Sequence, residues 1–197
     1  VDTSTNMRID SVKSSLSSNL IDRDAGRLIV NYPHPKLSSA LPSKIYRILA
    51  GADVLLVDNR YPEFVLPIAQ EARARNMIVV LDGEQTAAAH GMDLPMTATH
   101  IVFSAEGLRS SAGMDDLDAG LRHVACRTGA FVAYTDGARD MVWLAGDELQ
   151  SLPTFRVKAV DTLAAGDVFH GAFALALAEG QPVRAAMRFA AATSAIK

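Results

Sequence analysis

The chain is poor in everything that would mark a disulfide scaffold, a nucleic-acid binder or a membrane span. Cys126 is its only cysteine. That excludes an intramolecular disulfide framework and a Cys-based zinc site, fits a cytoplasmic protein, and leads us to expect a buried spectator thiol. Basic residues show no excess: 19 Lys and Arg stand against 22 Asp and Glu, a formal net charge of -3. Bulk electrostatic binding to nucleic acid or to an acidic membrane is therefore not expected. No apolar run is long enough for a bilayer, and the polar N-terminus shows no signal peptide. His34, His90, His100 and His123 lack metal-ligand spacing. No Gly-x-Gly-x-x-Gly follows a strand pattern and no Gly-Lys-Ser/Thr occurs. A dinucleotide oxidoreductase and a P-loop ATPase are accordingly disfavoured.

What remains is a globular balance, 49% apolar and 21% charged over 197 residues, which suits one α/β domain spanning 1–197. The chain opens on Val1 without an initiator Met and stops at Lys197 inside an Ala-rich helical pattern, so a fragment incomplete at both ends is expected. Ser14 to Asp22 and Arg27 to Tyr32 read as two strands around an Asp24-Ala25-Gly26 turn, ended by Pro33 and Pro35. A strand–helix rhythm follows. Strands are expected over 54–57, 77–81, 100–103, 130–134 and 155–160, with 141–144 folding back as a hairpin. Helices are expected over 62–75, 117–126, 165–178 and 182–196, with Gly180 breaking the last two apart. Such alternation predicts a mostly parallel sheet covered by helices on both faces.

In sheets of this kind ligands bind beyond the carboxyl ends of the strands. Polar groups cluster there: Asp58-Asn59-Arg60, Asp82-Gly83-Glu84, Ser104-Ala105-Glu106 and Thr135-Asp136-Gly137. Each alone reads equally well as a turn or helix cap. The most informative stretch is Asp161-Thr162-Leu163-Ala164-Ala165-Gly166-Asp167-Val168-Phe169-His170-Gly171, a small-residue turn leading into an apolar helix. A helix N-terminus carries unpaired N–H groups that attract phosphate, and an acid placed there can act as a general base. By itself Asp167 could equally be a capping acid that complements the helix dipole. His170 is expected to be a packed or solvent-facing histidine, and Trp143 a packing residue.

The stretch 161–171 resembles the second signature of the ribokinase/PfkB carbohydrate kinases: Asp-Thr, two residues, Ala-Gly-Asp, and a Gly further into the helix. Ala165, Gly166 and Asp167 match that pattern; Ala164 stands where the family usually has Gly. The order of Leu20-Ile21-Asp22, Gly26 to Pro33, Val57 to Arg60, Val80 to Glu84 and Phe103 to Leu108 extends the resemblance over nearly the whole chain, nearest to the sulfofructose kinase and ketohexokinase-like branch. The resemblance implies a ribokinase-like three-layer α/β/α sandwich with a small β lid, in which 14–32 contributes to the lid and the N-terminal part of the fold is absent.

It also implies an ATP- and Mg²⁺-dependent transfer of the γ-phosphate to a hydroxyl of a ketose-like sugar, with sulfofructose an anionic candidate. Backbone N–H groups of Ala164, Ala165, Gly166 and Asp167 would cradle the phosphate, and Asp167 would take the hydroxyl proton. Asn59 and Arg60 would face the sugar, Arg60 alternatively being a surface arginine paired with Glu63. Ser104, Glu106, Thr135, Gly137, Ala191 and Ser194 would lie along the nucleotide. Where the family carries Asn-x-x-Glu, this chain has Ser104 and Gly107, so Glu106 becomes the candidate metal-site acid, with Asp82 and Glu84 as alternatives. Asp140 replaces a later Gly of the Thr-x-Gly motif. These departures motivate a rival reading, a non-catalytic sugar- or nucleotide-binding protein on the kinase fold. A homodimer paired through the lid is implied by analogy.

Overall fold

A computed structural model describes residues 3–21, 27–32, 34–38, 40–84, 91–158 and 161–197. The elements run β1 (Leu16–Ile21), β2 (Arg27–Tyr32), α1 (Pro35–Ser38), α2 (Ile45–Ile48), β3 (Val54–Asp58), α3 (Pro62–Ala74) and β4 (Ile78–Gly83). A 3-10 turn at Pro95–Thr97 then leads to β5 (His100–Ser104), α4 (Ala105–Ala112), α5 (Leu117–Thr128), β6 (Phe131–Thr135), β7 (Met141–Ala145), β8 (Glu148–Leu152), α6 (Ala165–Ala178) and α7 (Val183–Ile196).

β3 to β8 form one six-stranded sheet in sequence order. Pairs β3–β4, β4–β5 and β5–β6 are parallel, whereas β6–β7 and β7–β8 are antiparallel. The period-2 alternation of strand side chains splits the core in two. Val79, Leu81, Ile101, Phe103, Val132 and Tyr134 pack against α3, α4 and α5. Val80, Val102, Ala133, Met141, Trp143 and Leu152 pack against α6 and α7. The result is the expected three-layer α/β/α sandwich, with β1 and β2 as a separate antiparallel ribbon. The ribbon's turn, Asp24 to Gly26, lies outside the described residues. Ser15 ties the ribbon's base to the start of α3, its Oγ accepting from Tyr61 Oη at 2.7 Å and from the His34 N–H at 2.9 Å.

Several expectations need correction. Residues 153–158 carry no strand. The last strand is instead β8, joined to β7 by the two-residue turn Gly146-Asp147, with Gly146 at φ 64°. Gly at the first position of such a turn matches the twist of a hairpin. α4 was not foreseen as a helix. Ser104 caps it by accepting the Gly107 N–H at 3.0 Å, and Gly113 closes it in the left-handed region at φ 65°. Cys126 is exposed on α5 rather than buried, because the inward stripe of that helix falls on Gly120, Leu121 and Val124. Trp143 is a packing residue as expected, 5% exposed with the Arg184 guanidinium 5.8 Å from its ring centroid.

Candidate active site

The turn before α6 is built from its own side chains. Asp161 Oδ1 accepts the Leu163 N–H at 2.8 Å, an Asx turn that folds the chain back. Ala164 then takes a left-handed conformation, φ 58° and ψ 16°, and is the N-cap of α6. That conformation explains the family preference for Gly at this position and costs an alanine about 1 kcal/mol. The first helical bonds follow, Ala165 N–H to Thr162 O at 3.3 Å and Val168 N–H to Ala164 O at 3.0 Å.

The N–H groups of Gly166 and Asp167 donate to no acceptor among the described residues. A Cβ built on Gly166 would meet nothing within 4 Å, so the turn is open to an incoming group. The Ala164 N–H likewise meets no acceptor among the described residues, so of the expected Ala164-to-Asp167 run only Ala165 spends its N–H, on Thr162. The turn is braced from α7, where Ser194 Oγ donates to Ala165 O at 2.9 Å. Lys197 Nζ donates to Leu163 O and lies 3.7 Å from Asp161 Oδ2. Ala191 is buried between α7 and the core.

Asp167 is exposed in the first turn of α6. The sheet presents further carboxylates towards it. Asp58 and Asp82 are register partners at the ends of β3 and β4. Asp82 shares a sheet face with Val80, two residues before it, which is the α6 side. Burial pushes the Asp82 carboxyl up to about 6. The His170 ring opposes that rise, while the charges of Glu84, Asp167 and Asp58 add to it. Asp82 Oδ1 is buried without a hydrogen-bond partner among the described residues. No cluster of three or more His, Cys, Asp or Glu capable of holding a metal occurs among them. This rim can assist a cation that brings most of its own oxygen ligands, as Mg²⁺ on a nucleotide does.

The remaining predicted residues line the same edge. Asn59 Nδ2 donates to Glu84 O at 2.8 Å, joining the ends of β3 and β4. Arg60 is exposed; its N–H donates to Asp58 Oδ1 at 3.0 Å and its Nε lies 3.9 Å from Asp58 Oδ2. Ser104 Oγ, which caps α4, also lies 3.5 Å from Glu84 Oε2. Glu106 is exposed in the first turn of α4. Thr135 ends β6, and Gly137, at φ 58°, sits in the β6–β7 turn, where Asp136 and Arg139 pair at 2.8 Å. Asp140 is exposed in that same turn. The residue that sequence reasoning undervalued is His170, which is buried and faces Asp82 Oδ2 at 3.4 Å. Its position three residues after Asp167, on the sheet-facing side of α6, was the available signal.

Comparison with known proteins agrees with this geometry. The profile of the pfkB family of carbohydrate kinases matches residues 1–197. The ribokinase of Bacillus subtilis (strain 168) is 48% identical over 56 residues, which is 28% of this chain and 19% of that protein. The crystal structure of a candidate ribokinase from Agrobacterium tumefaciens superposes with TM-score 0.86 at 36% identity, covering 94% of this chain and 61% of that one. Thermotoga maritima ribokinase superposes with TM-score 0.70 at 26% identity, covering 92% and 62%. The chain thus spans about three fifths of the solved relatives it matches.

Proposed function

This chain belongs to the pfkB family of carbohydrate kinases, and from that premise we propose that the protein carrying it transfers the γ-phosphate of ATP to a hydroxyl of a small sugar. The observation that carries the reading is the start of α6: N–H groups of Ala164, Gly166 and Asp167 that meet no acceptor among the described residues, beside an exposed carboxylate. Phosphoryl transfer asks the protein for positioning and charge stabilisation rather than covalent chemistry. In this reading the helix N-terminus steadies the transferred phosphoryl oxygens. Asp167 takes the hydroxyl proton as the sugar oxygen bonds to phosphorus, and the bond to the bridging oxygen breaks to release ADP.

Mg²⁺ would screen the phosphate charges when bound. The carboxylates Asp82, Glu84 and Asp58 support a site that meets it through few protein ligands, with Glu106 the candidate from α4. Ser104, Thr135, Gly137, Ala191 and Ser194 are proposed along the nucleotide. Asn59 and Arg60 are proposed towards the sugar, where the Arg fork suits a carboxylate, sulfonate or phosphate. A ketose-like sugar, anionic or neutral, is the proposed acceptor class. The β1–β2 ribbon is proposed as part of a lid. Leu16, Leu20, Leu28, Val30 and Tyr32 share one exposed ribbon face, which supports pairing with a second copy. The reading implies a cytoplasmic enzyme.

The test is ADP release by the full polypeptide over a panel of neutral and anionic sugars, with Asp167→Asn and Arg60→Ala alongside. Asp167→Asn is expected to lose about 10²–10⁴-fold in kcat with unchanged melting. Near-wild-type turnover in that variant would sink the base assignment. Arg60→Ala is expected to lose only the preference for an anionic sugar; an unchanged preference would remove the anionic acceptor.

A further inference from the structure

His170 makes contacts that plain packing does not require. Its Nδ1 lies 2.8 Å from Gly166 O and its Nε2 lies 3.0 Å from Val102 O. Both partners are carbonyl oxygens, which only accept. The ring lies within hydrogen-bond distance of both carbonyls at once. Asp82 Oδ2 is 3.4 Å from Nδ1, and both side chains are largely buried, 6% and 15% exposed. The charged groups around that pair are Asp58, Glu84 and Asp167. One ring therefore bridges the gap between α6 and the sheet. It joins the first turn of α6, at Gly166, to β5, at Val102, which lies 68 residues before His170. Gly166 is the residue that presents an unclaimed N–H to the open side of the same turn.

We propose that His170 is a positioning residue for phosphoryl transfer, holding the first turn of α6, and with it the Gly166 and Asp167 N–H groups and the Asp167 carboxylate, in register with the sheet. The proposal rests on the kinase reading of that turn. It follows from where the restraints fall: the bonds of Asp161, Lys197 and Ser194 hold residues 161–165, while a Cβ on Gly166 would touch nothing and the Gly166 carbonyl is met by the His170 ring. Ser194 braces Ala165 from the α7 side, and His170 braces Gly166 from the sheet side. A misplacement of the base by about 1 Å can cost on the order of 10²-fold in rate, so a loosened turn is expected to lower kcat while leaving nucleotide affinity nearly unchanged.

The experiment compares wild type, His170→Gln and His170→Phe in the full polypeptide. It reads residue-resolved amide hydrogen exchange together with kcat and KM for ATP. Gln keeps one side-chain donor and Phe keeps none. The expected result is exchange at Val168 and Phe169 faster by about tenfold in Phe and less in Gln, with α7 amides unchanged. kcat is expected to fall by about 10- to 100-fold in Phe and by less in Gln, with KM for ATP within about threefold. Unchanged exchange in both variants overturns the proposal, whatever happens to the rate. Faster exchange with kcat within twofold of wild type overturns it as well. If Phe fails to fold, Gln alone decides by the same two readouts. A wild type that phosphorylates no sugar, while the exchange difference is present, overturns the kinase reading and removes the catalytic half of the proposal. The exchange result then decides the tether alone.

Discussion

Gly107 lies so close to the end of β4 that a Cβ built on it would stand 2.2 Å from the Gly83 carbonyl oxygen. The first turn of α4 therefore sits directly against the end of the sheet. Gly83 is equally constrained, since its own Cβ would fall 2.3 Å from the Phe103 ring. Two glycines and one aromatic ring thus form a tight seam between β4, β5 and α4, and packing alone accounts for a glycine at 107.

Gly107→Ala is expected to lower stability by about 1–3 kcal/mol through overpacking against backbone that cannot turn aside. Urea denaturation with an unchanged slope and a lower midpoint would show it. A midpoint equal to wild type would mean that α4 can lift off the seam at little cost.

Ala164→Gly should act in the opposite direction. At φ 58° the methyl group is strained, and glycine relieves it at a smaller entropic cost, for a net gain of about 0.5–1 kcal/mol. The measurement is again the urea midpoint. A loss of stability would show that the methyl makes compensating contacts.

Asp82 makes stability depend on pH. Its carboxyl is raised from 3.8 to about 6, chiefly by burial. The folded state therefore holds this proton more tightly than the unfolded chain, so stability falls as pH rises from about 4 to about 6 and stays lower above. The two values bound the effect at roughly 3 kcal/mol. Asp82→Asn is expected to flatten the wild-type slope across that window. Parallel stability–pH curves for the two proteins would refute the assignment.

Cys126 is exposed, so an aromatic disulfide reagent should label one thiol per folded chain without denaturant, at a rate close to that of a free thiol. Labelling that requires denaturant would contradict the exposure. Turnover is expected to survive the modification, because α5 lies on the sheet face opposite α6.

The sheet and its crossovers were legible because short β-branched apolar runs such as Ile78 to Leu81 alternate with helical spacing such as that of Pro62 to Ala74. α4 was hidden by length and composition: eight residues with Gly107 inside it and Leu108 its one large apolar side chain, started by a Ser cap and closed by Gly113. β8 was hidden because Glu148 to Leu152 is only partly buried and alternates weakly; the Gly146-Asp147 pair was the signal that should have outweighed the Phe155 to Val160 run. At the site, local chemistry was readable and tertiary chemistry was not. Asp167 and Gly166 announce themselves by their motif. The double acceptance of His170 by Gly166 and Val102 depends on a contact between residues 68 apart, which one sequence cannot display.

Every strand of the main sheet pairs with the strand next to it in the chain, so each new strand can dock beside the one made before it. α6 breaks that order by returning over β3 and β4, the first two strands of that sheet. A ribosome would have released nearly this whole segment before Asp167 could be seated beside Asp82. The proposed base thus arrives after the strands it faces, onto a sheet already laid down.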